Sequence, residues 1–129
     1  MARILVIDDQ ENIRNVLKKL LLLDGYEVDI AKDGKAGLKM VRLDGYDLVI
    51  TDICMPEQDG LEVIMELKQQ FPDIRIIVMT GGGAKLDIGH LLKMSKYMGA
   101  DRVFPKPLDF MELKAAVSEL LATTSNRSL

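Results

Sequence analysis

The sequence predicts an α/β domain in which a five-stranded parallel sheet is doubly wound, with helices on both faces. Two observations lead to this prediction. Five short apolar runs alternate with segments whose apolar residues recur at helical spacing, and three of the runs, "ILVI", "LVI" and "IIVM", are apolar throughout. Strands buried on both faces read as continuous apolar runs. Alternation of strands with helices is typical of a parallel sheet covered on both sides.

Five strands are predicted where short runs are rich in aliphatic and β-branched residues. They are Ile4–Ile7, Glu27–Ala31, Leu48–Ile50, Ile74–Met79 and Arg102–Phe104. The favoured topology is the flavodoxin-like (βα)5 arrangement, with strand order 2-1-3-4-5. In such a sheet a ligand binds beyond the carboxyl ends of the strands, at the point where the strand order reverses. That point lies here between the first and third strands.

Capping and stop signals bound the first two helices. The first helix ends at Asp24-Gly25, a glycine stop. The second is capped by Asp33, runs through Leu43 and closes at Gly45. The residues that the first helix is predicted to turn toward the core recur at helical spacing: Ile13, Val16, Leu17, Leu20 and Leu21.

Three further helices complete the pattern. Asp59 is predicted to cap the third, residues 88–98 form the fourth, and the fifth begins near Asp109. The domain is expected to span residues 1–121, followed by a polar, frayed tail at residues 122–129. The residues expected to face the core are Leu61, Ile64, Met65 and Leu67 in the third helix and Leu113, Ala116, Val117 and Leu120 in the fifth. Met79 and Met94 are also expected to fill the core.

Composition and charge limit the classes of function. The chain has 129 residues, a net charge of −3 and one cysteine. The acidic balance does not favour nucleic acid or an anionic membrane as a direct partner. One cysteine cannot form an internal disulfide, which suits a reducing compartment. No apolar run approaches the roughly 20 residues of a membrane span, so we expect a cytoplasmic protein.

Polar residues occupy the carboxyl ends of the predicted strands. Asp8 and Asp9 follow the first strand, Asp52 follows the third, Thr80 the fourth and Lys106 the fifth. A single acid at the end of a strand is more often a turn former or a helix cap. Because the carboxyl ends of parallel strands meet at one rim, these residues are expected to converge at the crevice. The combination therefore predicts a functional site.

The same residues resemble those of a receiver domain of the two-component response regulator family. The matching features are "IDD" after the first strand, "DICMPEQDG" at residues 52–60, Thr80, and the pair Lys106-Pro107. The match covers residues 3 to about 121. The resemblance implies two-component phosphorelay signalling, in which Asp52 accepts a phosphoryl group from a phosphohistidine on a sensor histidine kinase or phosphotransfer protein. It also implies a bound Mg²⁺.

The resemblance implies a set of oxygen ligands for that metal. Asp9 and Asp52 would bind Mg²⁺ directly, the main-chain carbonyl of Cys54 would supply a third oxygen, and Asp8 would help through water. The residue types suit this chemistry, since neighbouring carboxylates repel one another unless a cation offsets their charge. Mg²⁺ prefers a few hard oxygens together with water and phosphate.

Two more residues are implied to act on the phosphoryl group. Lys106 would place a positive charge beside its oxygens, and Thr80 would donate a hydroxyl hydrogen bond. The peptide bond before Pro107 is expected to be cis, as in the family. The domain would then catalyse its own aspartyl phosphorylation and dephosphorylation, although it is not a conventional enzyme.

Each of these residues also has a simpler interpretation. Asp8 and Asp9 could cap the first helix, and Lys106 could be a solvated surface lysine. Cys54 is expected to be a small side chain that fills space. His90, the only histidine, is expected on the surface of the fourth helix.

Rival classes fit the residues less well. A flavodoxin-like cofactor binder must receive a phosphate at its first loop, which here carries two acids. A haloacid-dehalogenase-type phosphohydrolase has a second acid two positions after its nucleophile, where this chain has Cys54. A degenerate receiver that only binds partners would lack one of the acids. Gly81–Gly83 lacks the following lysine and hydroxyl residue of a phosphate-binding loop, so a flexible loop is expected.

The output of the domain is less determined by the sequence. Where the family often has an aromatic residue three positions before the lysine, this chain has Val103, and Phe104 points to the other face of its strand. We expect phosphorylation to switch a protein-binding surface that docks to a downstream protein. The alternatives are the isolated receiver of a longer regulator, for example a transcription factor, and an adaptor that binds protein without phosphorylation. A monomer or a weak homodimer through the fourth helix, fifth strand and fifth helix is expected.

Overall fold

Strands and helices alternate along the chain as predicted. A computed structural model describes residues 2–53, 60–80, 89, 93 and 96–127, with side chains as far as residue 122. The strands are β1 (Arg3–Ile7), β2 (Glu27–Ala31), β3 (Leu48–Asp52), β4 (Arg75–Thr80) and β5 (Arg102–Pro105). The helices bounded within the described residues are α1 (Glu11–Leu23), α2 (Gly34–Asp44), α3 (Gly60–Gln70) and a C-terminal helix (Phe110–Arg127).

The five strands form one parallel sheet in the predicted order, β2-β1-β3-β4-β5. β1 and β3 are neighbours, with Ile4 opposite Leu48. β3 is longer than predicted, because Thr51 and Asp52 continue the strand and Asp52 still pairs with Met79 of β4. Asp52 is therefore the last residue of its strand, at the carboxyl edge of the sheet.

Alternating strand residues bury two hydrophobic clusters, one on each face of the sheet. Leu5 and Ile7 of β1 belong to the first cluster, and Ile4 and Val6 belong to the second. Residues of α2 and α3 complete the first cluster, whereas α1 and the C-terminal helix complete the second. The doubly wound architecture is thus confirmed. The predicted stripe of the C-terminal helix is buried in the second cluster: Leu113, Ala116, Val117 and Leu120.

Two predicted core residues are exposed instead. Val16 of α1 is 44% exposed, while Leu17 and Leu21 are fully buried. Met65 of α3 is 48% exposed, although Ile64 beside it is fully buried. Each helix meets the sheet along one narrow stripe at spacings of three and four residues. A residue next to that stripe along the chain is rotated by about 100° and faces solvent.

An aspartate caps the start of two helices: Asp33 is a predicted cap, and Asp109 lies where the last helix is predicted to begin. Asp33 accepts a hydrogen bond from the Ala36 N–H at 2.8 Å, at the start of α2. Asp109 accepts hydrogen bonds from the N–H groups of Met111 and Glu112, at 3.0 and 3.1 Å, at the start of the C-terminal helix. These contacts satisfy N–H groups that have no partner within a helix.

The C-terminal end of α1 matches the prediction, whereas its N-terminal end does not use the aspartates considered as caps. Gly25 follows the helix with φ of 91°, a left-handed conformation that glycine adopts without strain. At the other end the N-cap residue is Gln10, whose side chain makes no capping hydrogen bond. Neither Asp8 nor Asp9 is therefore the cap of α1.

Some predicted features lie outside the described residues, namely Cys54, Asp59, Gly81–Gly83, His90 and Met94. In the segment of the predicted fourth helix, the described helical residues are Gly89, Lys93, Lys96 and Tyr97. The C-terminal helix continues to Arg127, past the predicted domain end at residue 121. Within the described ranges, no helix combines the length and apolarity that crossing a bilayer requires.

Candidate functional site

Four strand ends meet at the carboxyl edge of the sheet. Asp8 directly follows β1, Asp52 ends β3, Thr80 ends β4 and Lys106 directly follows β5. Asp8, Asp52 and Thr80 are buried. Buried polar groups are costly unless they find partners, so the contacts of each residue matter for its role.

Asp8, Asp9 and Asp52 form an acidic cluster at this edge. Each offers one carboxylate oxygen, and these oxygens lie within 4.8 Å of one another. At that separation two carboxylates repel by about 3 kcal/mol at an effective dielectric constant near 20. Asp9 is exposed while the other two acids are buried, so the cluster opens to solvent beside Asp9. Such a set of hard oxygen atoms fits a cation of the Mg²⁺ type.

Lys106 brings positive charge into the acidic cluster. Its Nζ lies 2.9 Å from Asp8 Oδ2, 2.9 Å from Asp52 Oδ2 and 3.3 Å from Gln10 Oε1. Burial lowers the pKa of Lys106, but hydrogen bonds to Asp52 and Asp8 outweigh burial and raise that pKa above its ordinary value. The ammonium is therefore charged and in contact with two of the three acids.

The Lys106 main chain is also fixed. Its N–H donates to the carbonyl oxygen of Thr80 at 2.8 Å, which continues the pairing of β4 with β5. The Lys106-Pro107 peptide bond is cis, as expected.

Asp8 is held by neighbours on every polar atom. Its Oδ1 accepts from the Gln10 N–H at 2.8 Å, its carbonyl oxygen accepts from Arg14 Nη1 at 2.7 Å, and its N–H donates to Ala31 O at 3.1 Å. Burial raises the pKa of Asp8, and the hydrogen bonds from Gln10 and Lys106 offset only part of that rise. These hydrogen bonds fix the position of the Asp8 carboxylate at the edge of the site.

Gln10 and Arg14 are site residues that sequence reasoning does not find. Gln10 directly follows the acid pair, and Arg14 lies one helical turn later. The sequence offers no signal for either residue beyond this spacing, and polar residues at the same spacing are common on exposed helix faces that belong to no site. Their contacts depend on how the chain turns from β1 into α1.

Thr80 carries a buried hydroxyl at the end of β4. Its Oγ1 has no hydrogen-bond partner among the residues that the structure describes. Most buried hydroxyls in proteins are hydrogen-bonded, so an unpartnered one needs an explanation. β5 pairs with this strand, and its Val103 and Phe104 pack against opposite faces of the sheet as predicted.

The family model described as "Response regulator receiver domain" matches residues 4–118 of this chain. This chain is a response regulator receiver domain. The predicted role of this chain in two-component signalling is thereby confirmed, since the family model matches most of the chain.

Individual relatives support the same assignment. This receiver domain is 36% identical over 124 residues to sporulation initiation phosphotransferase F of Bacillus subtilis, covering 96% of this chain and 97% of that protein. It is 37% identical over 124 residues to response regulator MprA of Mycolicibacterium vanbaalenii, again over 96% of this chain. The chain spans about half the length of MprA, because the match covers 52% of that protein.

A solved response regulator structure is similar to this receiver domain over most of its length. The response regulator protein TrrA of Thermotoga maritima, in complex with Mg(2+)-BeF, is 41% identical to this receiver domain, with a TM-score of 0.80. The similarity covers 93% of this chain and 99% of TrrA.

Proposed function

We propose that Asp52 accepts a phosphoryl group from a phosphohistidine on a sensor histidine kinase or phosphotransfer protein. The observation that carries the proposal is the Asp52 carboxylate, buried at the end of β3 and 2.9 Å from the Lys106 ammonium. A carboxylate is the nucleophilic form of an aspartate, and the ammonium beside it would stabilise negative charge on an arriving phosphoryl group. In the transfer, an O–P bond forms at Asp52 while the P–N bond to the donor imidazole breaks. The imidazole keeps that electron pair.

We propose that the acidic cluster holds Mg²⁺. Asp9 and Asp52 are the proposed carboxylate ligands. Asp8 is proposed to act through water, because both of its carboxylate oxygens already accept hydrogen bonds. The carbonyl oxygen of Cys54, outside the described residues, is the proposed third oxygen. When bound, the ion would offset negative charge on the acids and on the phosphoryl oxygens.

Lys106 and Thr80 are proposed to bind the phosphoryl group once it is attached to Asp52. Lys106 would turn one N–H from the Asp52 oxygen to a phosphoryl oxygen and stabilise its charge. The Thr80 hydroxyl, which has no partner within the described residues, can donate to a phosphoryl oxygen without first losing a hydrogen bond there. That gain in hydrogen bonding would favour movement of the strand end on phosphorylation.

The proposed partners and location follow from the family and the composition. Receiver domains interact with histidine kinases or phosphotransfer proteins, and we propose such a protein as the donor for this chain. A downstream protein that binds the phosphorylated surface is the proposed target. We also propose a cytoplasmic location, where the single cysteine would stay reduced.

Mass spectrometry of the intact chain tests the assignment of Asp52. After incubation with Mg²⁺ and acetyl phosphate, we expect the wild type to gain the mass of one phosphoryl group. Asp52→Asn should gain none, because an amide is not a nucleophile of this kind. Asp44→Asn, at the end of α2, is the matched control and should behave as the wild type. A phosphoryl group on Asp52→Asn at the wild-type level would show that another residue is the acceptor.

A further inference from the structure

Gln10 closes a hydrogen-bonded ring with Asp8 and Lys106. The Gln10 N–H donates to Asp8 Oδ1 at 2.8 Å, Lys106 Nζ donates to Asp8 Oδ2 at 2.9 Å, and Lys106 Nζ donates to Gln10 Oε1 at 3.3 Å. Gln10 thus holds Asp8 with its main chain and Lys106 with its side chain. Among the described residues that accept hydrogen bonds from the ammonium, Asp8 and Asp52 use carboxylates and Gln10 uses a neutral amide.

The three acceptors around Lys106 differ in what happens to them during phosphorylation. An ammonium has three N–H donors, and within the described part of the chain Asp52, Asp8 and Gln10 accept from it. Asp52 is the proposed nucleophile, so its carboxylate loses its negative charge when the acyl phosphate forms. Asp8 and Gln10 form no new covalent bond. They can therefore hold the ammonium while its third donor turns to a phosphoryl oxygen.

We propose that Gln10 is a positioning residue that holds the Lys106 ammonium beside the phosphoryl group and thereby speeds phosphorylation. This inference rests on the proposed function of Asp52 and Lys106. A neutral amide suits the task, because a carboxylate at position 10 would compete with the phosphoryl group for the ammonium. With an apolar side chain at position 10, only Asp8 would still hold the ammonium after Asp52 has reacted. The ammonium would then sample more positions.

Gln10→Met removes the side-chain contact while keeping the main-chain contact to Asp8. Methionine is unbranched and of similar length, and its thioether is only a weak acceptor. We expect phosphorylation of the whole chain by acetyl phosphate with Mg²⁺ to slow about fivefold, the ratio that one net hydrogen bond represents. An unchanged rate in this variant would overturn the proposal.

A double variant shows whether Gln10 acts through Lys106. In the Lys106→Ala background, Gln10→Met should change the phosphorylation rate by less than about twofold, since the two substitutions remove the same interaction. An equal slowing in both backgrounds would contradict the proposal. Gln70→Met is the matched control, because Gln70 Oε1 also accepts from a cationic side chain, Arg42 Nε at 2.9 Å. If it slows phosphorylation as much as Gln10→Met, the effect is not specific and the proposal fails.

NMR of the lysine ammonium groups provides a readout that needs no phosphorylation. In the wild type, the Lys106 ammonium protons should exchange slowly with water, because each has an acceptor. Gln10→Met should speed this exchange by at least about threefold, whereas Gln10→Glu, which restores an acceptor, should keep it slow. Failure of the wild type to accept a phosphoryl group would refute the proposed function. Unchanged ammonium exchange in Gln10→Met would refute the positioning role alone.

Discussion

At the scale of single residues, Lys106 already occupies part of the space between the acids. From the sequence, Lys106 is expected to place its positive charge beside the oxygens of the phosphoryl group. The structure instead places its Nζ 2.9 Å from both Asp8 and Asp52. An ammonium and a divalent cation would therefore compete for the same negative charge. This geometry changes the expected effect of removing Lys106.

Lys106→Ala should bind Mg²⁺ more tightly than the wild type, by roughly threefold to tenfold, because a competing charge is lost. Asp9→Ala should bind it more weakly, since a proposed carboxylate ligand is removed. Isothermal titration calorimetry with MgCl₂ measures both effects. Lys39→Ala removes the same charge from an exposed position on α2 and should leave the affinity unchanged. A weaker affinity in Lys106→Ala would contradict competition.

Strand ends predict some site residues better than others. Asp8, Asp52, Thr80 and Lys106 follow from the sequence, because parallel strands deliver their carboxyl ends to one edge. Gln10 does not, since its contact with Lys106 joins the β1–α1 turn to a residue 96 positions away. No spacing within one segment reveals how a side chain turns toward a distant strand.

At the scale of elements, the sequence predicts the strands and helices well and the width of the buried stripes less well. Strand positions follow from continuous apolar runs, and β2 matches its predicted bounds. Val16 and Met65 are apolar residues at helical spacing, yet both are exposed. Periodicity identifies a face, but the contact with the sheet decides how much of that face is buried.

Close approach of helix and strand makes two glycines sensitive to substitution. A Cβ on Gly60 would lie 2.8 Å from the main-chain oxygen of Ile53, whereas a Cβ on Gly37 would meet the end of the Ile7 side chain. A side chain can move aside more easily than a main chain. The start of α3 is therefore tied to the residue that follows Asp52.

Gly60→Ala should lower the free energy of unfolding by roughly 2–3 kcal/mol, the cost of overpacking at a site that cannot relax. Gly37→Ala should cost less, and Ile7→Val should recover part of its loss by shortening the side chain that is in the way. Urea denaturation followed by circular dichroism measures these differences. Equal losses for the two glycine substitutions would show that the main chain at Ile53 relaxes as readily as a side chain.

At the scale of the whole molecule, the candidate site and a stabilising ion-pair network lie at opposite edges of the sheet. The carboxyl edge holds the acidic cluster and the Thr80 hydroxyl, which has no hydrogen-bond partner among the described residues. Near the amino ends of β4 and β5, Asp101 accepts from the Ile76 N–H at 2.8 Å and pairs with Arg75 at 3.4 Å and Lys68 at 3.8 Å. This partly buried network joins α3, β4 and the approach to β5.

Asp101→Ala should reduce the free energy of unfolding by roughly 2–4 kcal/mol, because it leaves a buried N–H and a partly buried arginine without this acceptor. Phosphorylation of the folded protein by acetyl phosphate should remain at the wild-type rate, since the network lies at the opposite edge from Asp52. Thermal unfolding and the mass assay together test this separation. An unchanged free energy of unfolding, or a slower phosphorylation of the folded variant, would contradict this separation.

The contact between Lys106 and Asp8 joins residues 98 positions apart in the sequence. During synthesis on the ribosome, Asp8 and Asp52 emerge long before the lysine that neutralises them. The site therefore cannot assemble piece by piece with the growing chain, and a partly made protein holds its acids without their counter-ion. Only a chain that has added β5 to the sheet brings Lys106 to Asp8 and Asp52 of the proposed phosphoacceptor site.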